Sequence, residues 1–323
     1  MTDVAAPLAL DTVVFARGLT TLPGAHPSLT DIDLDILPGE IFSIVGRSGS
    51  GKTALLEALV GLQRVSAEQF VVCGADPRRF PRAVKQRIGV APRRAALERK
   101  ITVEEALTLF ARLYERADPA RVLDRLELES VRDARVDSLP SPVSQRLSLA
   151  LALLNDPAVL FADEPTRDLD PDSARFVWDI LRERRQRGRT SVLTTNHLDE
   201  AARLSDRIAI LHGGRLIAAD TPTGLLARSS VHEHVTFEVL KPHIPLDHLR
   251  ELEGVVDVHL DRSTYRLLSR DGLTTARAVL RLLESMGIHP LTLELRGQTL
   301  EDVFFKLTTS GPAPLTAPPM PRV

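Results

Sequence analysis

The chain carries two kinds of apolar pattern in alternation. Short runs such as Ile41-Phe42-Ser43-Ile44-Val45 have no polar face and read as strands buried on both sides. Residues 158–162 and 190–195 have the same character. Longer stretches repeat their apolar residues at helical spacing. Leu55, Leu56, Leu59 and Leu62 do so across 52–62. Segment 171–187 opens with Pro171 in its first turn and stops at Gly188. Strands at 208–211 and 215–218 flank Gly213-Gly214, a tight hairpin signal. Strands interleaved with helices predict an α/β domain built on a parallel sheet.

Residues 95–154 break this rhythm, with helical periodicity and little strand character. Thr102 followed by Glu105 forms a capping box, and Pro119 suits the first turn of a further helix. The stretch reads as a helical subdomain inserted between two halves of the sheet. Thr221-Pro222 opens a last short helix, and the large domain is expected to span 1–228. Beyond it the order becomes strand 235–240, helix 247–252, strands 255–260 and 265–268, helix 274–286 and strand 291–295. This βαββαβ order predicts a small ferredoxin-like α+β domain over 229–309. Five prolines among residues 310–323 predict a disordered tail. No internal repeat is visible.

Composition narrows the function classes. A formal charge of −2 and a pI near 6.5 exclude a nucleic-acid binder that works by bulk electrostatics. Aromatics at 4% leave little for a base-stacking surface. The single cysteine, Cys73, supports neither an internal disulfide nor a cysteine metal site and points to a reducing cytosol. The longest apolar run, 147–154, is cut by Asn155-Asp156-Pro157, short of the ~18 to 20 residues that a membrane helix needs. The N-terminus, with Asp3 and Asp11, lacks the basic start of a secretory signal. A soluble cytosolic protein is expected, with any membrane role supplied by a partner.

The chemistry concentrates at Gly46-Arg47-Ser48-Gly49-Ser50-Gly51-Lys52-Thr53, which fits G-x-x-x-x-G-K-[ST] with a strand before it and a helix after it. Glycines let backbone N–H groups converge on phosphate oxygens, and the helix N-terminus adds its positive end. Lys52 would reach the β and γ phosphates, and the Thr53 hydroxyl would hold Mg²⁺. Val159-Leu160-Phe161-Ala162-Asp163-Glu164 supplies the second half. A carboxylate ending a buried strand is costly unless it meets a cation, so Asp163 reads as a metal residue. Glu164 is placed to polarise the attacking water as general base. In the C-terminal domain His232, His234, His243 and His248 lack partners at metal-ligand spacing and read as solvated. Val303, Phe304 and Leu307 read as a dimer or domain contact.

Further motifs carry a family resemblance. Asp163-Glu164-Pro165-Thr166 is followed by Leu169-Asp170-Pro171 and by Thr194-Thr195-Asn196-His197-Leu198-Asp199-Glu200-Ala201. Gln145-Arg146-Leu147-Ser148 precedes Asn155-Asp156-Pro157, and Gly213-Gly214-Arg215-Leu216 comes later. Over about 10–228 the chain resembles the ATP-binding subunit of an ABC transporter. Thr299-Leu300-Glu301-Asp302-Val303-Phe304-Phe305 is similar to the C-terminal region of daunorubicin-resistance-type exporter ATPases. The resemblance implies a P-loop NTPase, a RecA-like sheet core with an inserted helical subdomain, that binds ATP and Mg²⁺. It implies two such subunits, homo- or heterodimeric, sandwiching two ATPs. They would dock on separate integral-membrane permease subunits at the inner face of the cell membrane.

The departures from the family pattern are equally specific. The signature that would cap the γ-phosphate of the opposite subunit aligns with Leu139-Pro140-Ser141-Pro142-Val143, where two prolines have no N–H to donate. Here Ser141 reads as a helix cap followed by Pro142 in the first turn. The switch histidine aligns with Asn196, and His197 is one residue late, facing the other way at a strand end. The Asn196 amide still donates a hydrogen bond but carries no charge. The metal-sensing glutamine aligns with Arg93, which either reaches phosphate oxygens or stands solvated on a loop beside Arg94. Asp168 stands where the family has a small residue. The adenine-stacking aromatic is missing near Leu22-Pro23, and Phe15 lies too early to replace it. A homodimer would join Asn196 to the altered 139–143 segment in each site, and a regular paralogue would leave each site with one loss. Losing one preorganised transition-state donor costs ~10²–10³-fold in rate, so slow turnover is expected. The expected function is the ATP-binding subunit of an exporter, with a pseudo-ATPase that regulates or scaffolds a paralogous transporter as the alternative. A ribosome- or DNA-directed ATPase fits less well, for want of a second nucleotide domain and a basic patch.

Overall fold

A computed structural model describes residues 12–309, apart from 23, 25–26, 94–96, 99, 229–232, 241–243 and 298. The tail 310–323, Pro23, Arg94, His232 and His243 thus lie outside the described residues. The chain divides into two compact units, the first reaching Pro222 and the second beginning at Thr223. The division falls at the start of a helix, Pro222–Arg228, whose end was the expected limit of the large domain.

The first unit runs β1 (Val14–Thr21), β2 (Ile32–Ile36), β3 (Ile41–Val45), α1 (Lys52–Leu59), β4 (Val65–Ser66), β5 (Gln69–Val72), α2 (Pro81–Lys85) and β6 (Ile88–Ala91). It continues through α3 (Val103–Ala111), α4 (Pro119–Arg125), α5 (Ser141–Leu153), β7 (Val159–Asp163), α6 (Pro171–Gln186), β8 (Thr190–Thr195), α7 (Leu198–Leu204), β9 (Arg207–His212) and β10 (Arg215–Asp220), and α8 (Pro222–Arg228) crosses the boundary. The central sheet has six strands in the order β10-β9-β3-β8-β7-β6. Five run parallel, and β10 closes the edge antiparallel through the Gly213-Gly214 turn.

Burial explains why these strands have no polar face. Phe42, Ile44, Val159, Phe161 and Val192 enter one core, while Ile41, Leu160, Ala162 and Leu193 enter another on the opposite face. The first core also holds α1 and a separate antiparallel sheet in which β1 pairs with β2, β4 and β5. The second is shared with the helices inserted between β6 and β7, through Val103, Leu107, Val122, Leu147 and Leu151. α3 begins at the expected capping box, where Glu105 N–H donates to Thr102 Oγ1 and Thr102 N–H to Glu105 Oε2. α4 has Pro119 in its first turn, capped by Asp118. α5 corrects one local reading. Ser141 is not its cap. Pro140 holds that position, its carbonyl accepting from Ser144 N–H at 2.9 Å, and Ser141 is the exposed first helical residue. The extended φ and ψ of Pro140, −59° and 153°, suit a cap that needs no N–H.

The second unit contains β11 (Glu233–Glu238), α9 (Leu246–Arg250), β12 (Val255–Asp261), β13 (Thr264–Ser269), α10 (Gly272–Ser285), β14 (Thr292–Arg296) and α11 (Leu300–Thr309). Its sheet order is β12-β13-β11-β14, all antiparallel, with α9 and α10 as the connections of a βαββαβ unit. Val235, Phe237, Leu249, Tyr265, Val279 and Leu283 form its own core, where the Phe237 and Tyr265 rings stack 4.9 Å apart. α11 opens on a reciprocal Thr299–Asp302 cap and buries Leu300 and Val303.

Candidate nucleotide site

Parallel pairing assembles the site. Val45 of β3 lies opposite Thr195 of β8, and Thr194 lies opposite Asp163 of β7. Three strand ends therefore deliver the phosphate loop, Asn196 and the Asp163-Glu164 pair to one edge of the sheet. This is the edge where open α/β sheets bind ligands.

Close packing and backbone geometry dictate the loop's glycines. A Cβ on Gly46 would stand 2.4 Å from both Leu211 O and Ser50 Oγ, and Gly51 caps α1 at φ 106°. Arg47, Ser48 and Gly49 face solvent, while Ser50 Oγ is buried without a hydrogen-bond partner. Buried Lys52 folds back over the loop, donating to Gly46 O at 2.7 Å, Arg47 O at 3.1 Å and Asn196 Oδ1 at 2.6 Å. Burial pushes the Lys52 ammonium below its ordinary pKa, outweighing the pull of Glu164 and Asp163, and Arg93 adds to the depression.

Thr53 Oγ1 donates to Asp163 Oδ2 at 2.9 Å, and Thr194 Oγ1 donates to Asp163 Oδ1. Glu164 adopts a left-handed φ of 49°, and its N–H is held by Thr194 O and Oγ1 at 3.1 and 3.0 Å. Its Oε1 accepts from Asn196 Nδ2 at 2.8 Å. Asn196 thus bridges Lys52 and Glu164 through the two ends of one amide. His197 is exposed at the start of α7, its N–H bonded to Thr195 Oγ1 at 3.0 Å.

Two arginines change the picture drawn from sequence. Arg93 is exposed, and its guanidinium reaches back to the site, with Nε 3.3 Å from Glu164 Oε2. Arg167, which sequence reading passed over, donates from Nη1 to the same oxygen at 2.9 Å. Only the three-residue spacing from Glu164 hinted at that contact. Thr194 and Glu200 were also missed as supports. Glu200 accepts from Trp178 Nε1 and Thr195 Oγ1, each at 2.8 Å, and from Thr166 Oγ1. Gln145 Nε2 reaches Pro165 O at 3.0 Å, tying α5 of the helical insertion to the loop behind Glu164. Phe15 is buried in β1 beneath Arg17, so its ring is not free to stack on a base.

A glycine-lined loop between a parallel strand and a helix, with an Asp-Glu pair at the end of a strand two places along the sheet, defines a P-loop NTPase. The comparisons narrow this further. The ABC transporter family profile matches residues 29–167. The chain is 33% identical to the daunorubicin resistance ATP-binding protein DrrA2 of Streptomyces coeruleorubidus, covering 91% of this chain and 94% of that one. It is also 33% identical to Nod factor export ATP-binding protein I of Paraburkholderia xenovorans, over 88% and 93% of the two chains. Among solved structures, an ATP-binding subunit of an ABC transporter superposes with a TM-score of 0.61 at 23% identity, covering 67% of this chain and 93% of that one. A dimeric ATP-binding cassette in a post-hydrolysis state with ADP and Pi gives 0.56 at 24%, covering 64% and 98%. The chain belongs to the ATP-binding proteins of ABC transporters. Among its described residues no helix is long and apolar enough to cross a membrane.

Proposed function

We propose that this chain is the ATP-binding subunit of an export complex, that it binds Mg²⁺-ATP between two such subunits, and that it hydrolyses ATP slowly. The observation that carries this reading is the convergence of Lys52, Thr53, Asp163 and Glu164 on one sheet edge, through the contacts of Thr53 with Asp163 and of Asn196 with Lys52 and Glu164. Export is supported by the relatives, two of which are named for daunorubicin resistance and for Nod factor export. Separate membrane permeases would supply the path, and the chain would sit on their cytoplasmic side.

The residues present fit both groups. The orphaned Ser50 hydroxyl and Gly49, whose missing Cβ would meet nothing within 4 Å, leave the loop open to phosphate oxygens. Thr53 Oγ1 and Asp163 Oδ2 are hard oxygen ligands of the kind Mg²⁺ takes alongside phosphate and water. When bound, the metal would neutralise charge on the β and γ phosphates. Lys52 would exchange its carbonyl and Asn196 contacts for phosphate oxygens. Glu164 would orient and deprotonate the attacking water.

Slow turnover is supported by Pro140 and Pro142 in the segment that should donate across a dimer, and by an uncharged Asn196 at the switch position. A pseudo-ATPase that regulates or scaffolds a paralogous transporter is the second reading, favoured by the two hydrogen bonds and the further ion pair already on the Glu164 carboxylate. The test pairs ATP binding with phosphate release by the purified chain, alongside Glu164→Gln. Binding is expected in both proteins, with weak release in the wild type that disappears in the variant. Release as fast as in ordinary transporter ATPases would overturn slow turnover, and absence of binding would overturn the function.

A further inference from the structure

Glu164 is the most crowded carboxylate of the site. Its backbone N–H is anchored to Thr194 and its side chain is 9% exposed, which limits the room its carboxylate has to move. Asn196 occupies Oε1, while Arg167 and Arg93 both address Oε2. The arginines arrive from separate segments, Arg93 from the loop after β6 and Arg167 from the loop between β7 and α6. A carboxylate that takes a proton from water must offer that water a lone pair. Oε2 accepts from Arg167 and lies 3.3 Å from the Arg93 guanidinium, while Oε1 keeps one lone pair beside its bond from Asn196. A water reaching Oε2 must first displace a charge-assisted contact, which is stronger than an ordinary hydrogen bond, and one approaching Oε1 must share it with Asn196.

We propose that Arg93 and Arg167 are positioning residues that hold Glu164 back from the attacking water, a brake on turnover built within one chain. The proposal rests on the reading of Glu164 as the base of slow ATP hydrolysis. It adds a source of slowness independent of the signature segment and of Asn196, because neither arginine comes from those elements. Both guanidiniums are about two-fifths exposed, at 42% and 40%, so their release needs no unfolding of the core.

The experiment uses the full chain with Arg93→Met/Arg167→Met, which keeps side-chain length and removes both charges. At saturating Mg²⁺-ATP its kcat for phosphate release is expected to rise about tenfold, a part of what a freed general base supplies. ATP affinity, read by fluorescent-nucleotide titration, should stay within about twofold, which separates release of the base from altered binding. Arg93→Lys/Arg167→Lys should return kcat towards the wild-type value, and adding Glu164→Gln to the methionine pair should abolish the gain. A second readout uses the nucleotide-free protein. The methionine pair should lower Tm more when Glu164 is present than in the Glu164→Gln background, because the ion pairs exist only in the former. An unchanged or lower kcat in a chain that still binds ATP would overturn the brake, as would equal Tm shifts in both backgrounds. A chain that binds no ATP would overturn the proposed function instead, while the Tm comparison would still decide whether the contact holds.

Discussion

Glu200 shows how a carboxylate outside the chemistry supports it. One side chain gathers donors from α6 (Trp178), from the end of β8 (Thr195) and from the loop carrying Arg167 (Thr166). Glu200→Ala would leave three donors without their acceptor and is expected to cost ~2–3 kcal/mol, measured by urea unfolding. Gly46→Ala tests the loop differently. Its Cβ would meet the Leu211 carbonyl, which belongs to the neighbouring β9 and cannot rotate away. The expected outcome is a loss of ~1–3 kcal/mol together with weakened nucleotide binding, read by unfolding and by titration of the same sample.

The inserted helices are held to the sheet by a charged joint as well as by apolar packing. Asp156, between α5 and β7, pairs with Arg189 at 2.6 Å and with Arg121 of α4 at 3.6 Å, and the charge of buried Arg184 in α6 adds to these. Burial alone would raise the Asp156 pKa, but the Arg189 hydrogen bond and the three positive charges outweigh it and hold the carboxyl below its ordinary 3.8. A depressed folded-state pKa adds stability above the unfolded value, lost as pH falls through the folded one. Asp156→Asn should therefore unfold at a lower temperature than the wild type near neutrality. The gap should close below pH 3.8 in a pH series of thermal melts. The capping box of α3 gives an independent element to test. Thr102→Ala should cost ~1 kcal/mol in denaturant unfolding and leave ATP affinity unchanged.

Each of the two units has apolar core of its own, and the residues of the candidate nucleotide site all belong to the first. Damage to the core of the second should therefore leave the first able to bind. Phe237 is fully buried and stacked on Tyr265, so Phe237→Ala should destabilise the second unit by ~3–5 kcal/mol. Calorimetry is expected to show one transition moving down while a second stays in place, with ATP affinity retained. Loss of ATP binding in this variant would mean that the two units stand or fall together.

Most of the architecture was legible because it is written in local terms. The strand into Gly46, the loop glycines, the capping box at Thr102, Pro119 and Pro171 in first turns and the βαββαβ order each depend on neighbours a few residues apart. The N-terminal strands β1 and β2 and the final helix α11 were not read, although Ile32, Leu34 and Ile36 alternate at strand period and Leu300, Val303, Phe304 and Leu307 recur at helical period. The arginine contacts on Glu164 escaped for a physical reason. Arg93 and Glu164 are separated by the whole helical insertion and meet only because β6 and β7 pair in parallel, with Ala91 opposite Ala162. Composition and spacing determine that a phosphate-loop motif, a candidate metal carboxylate and a candidate base are present. Which cations end up on that base is decided by strand order and register, since a charge acts over a few ångströms of space and not over distance along the chain.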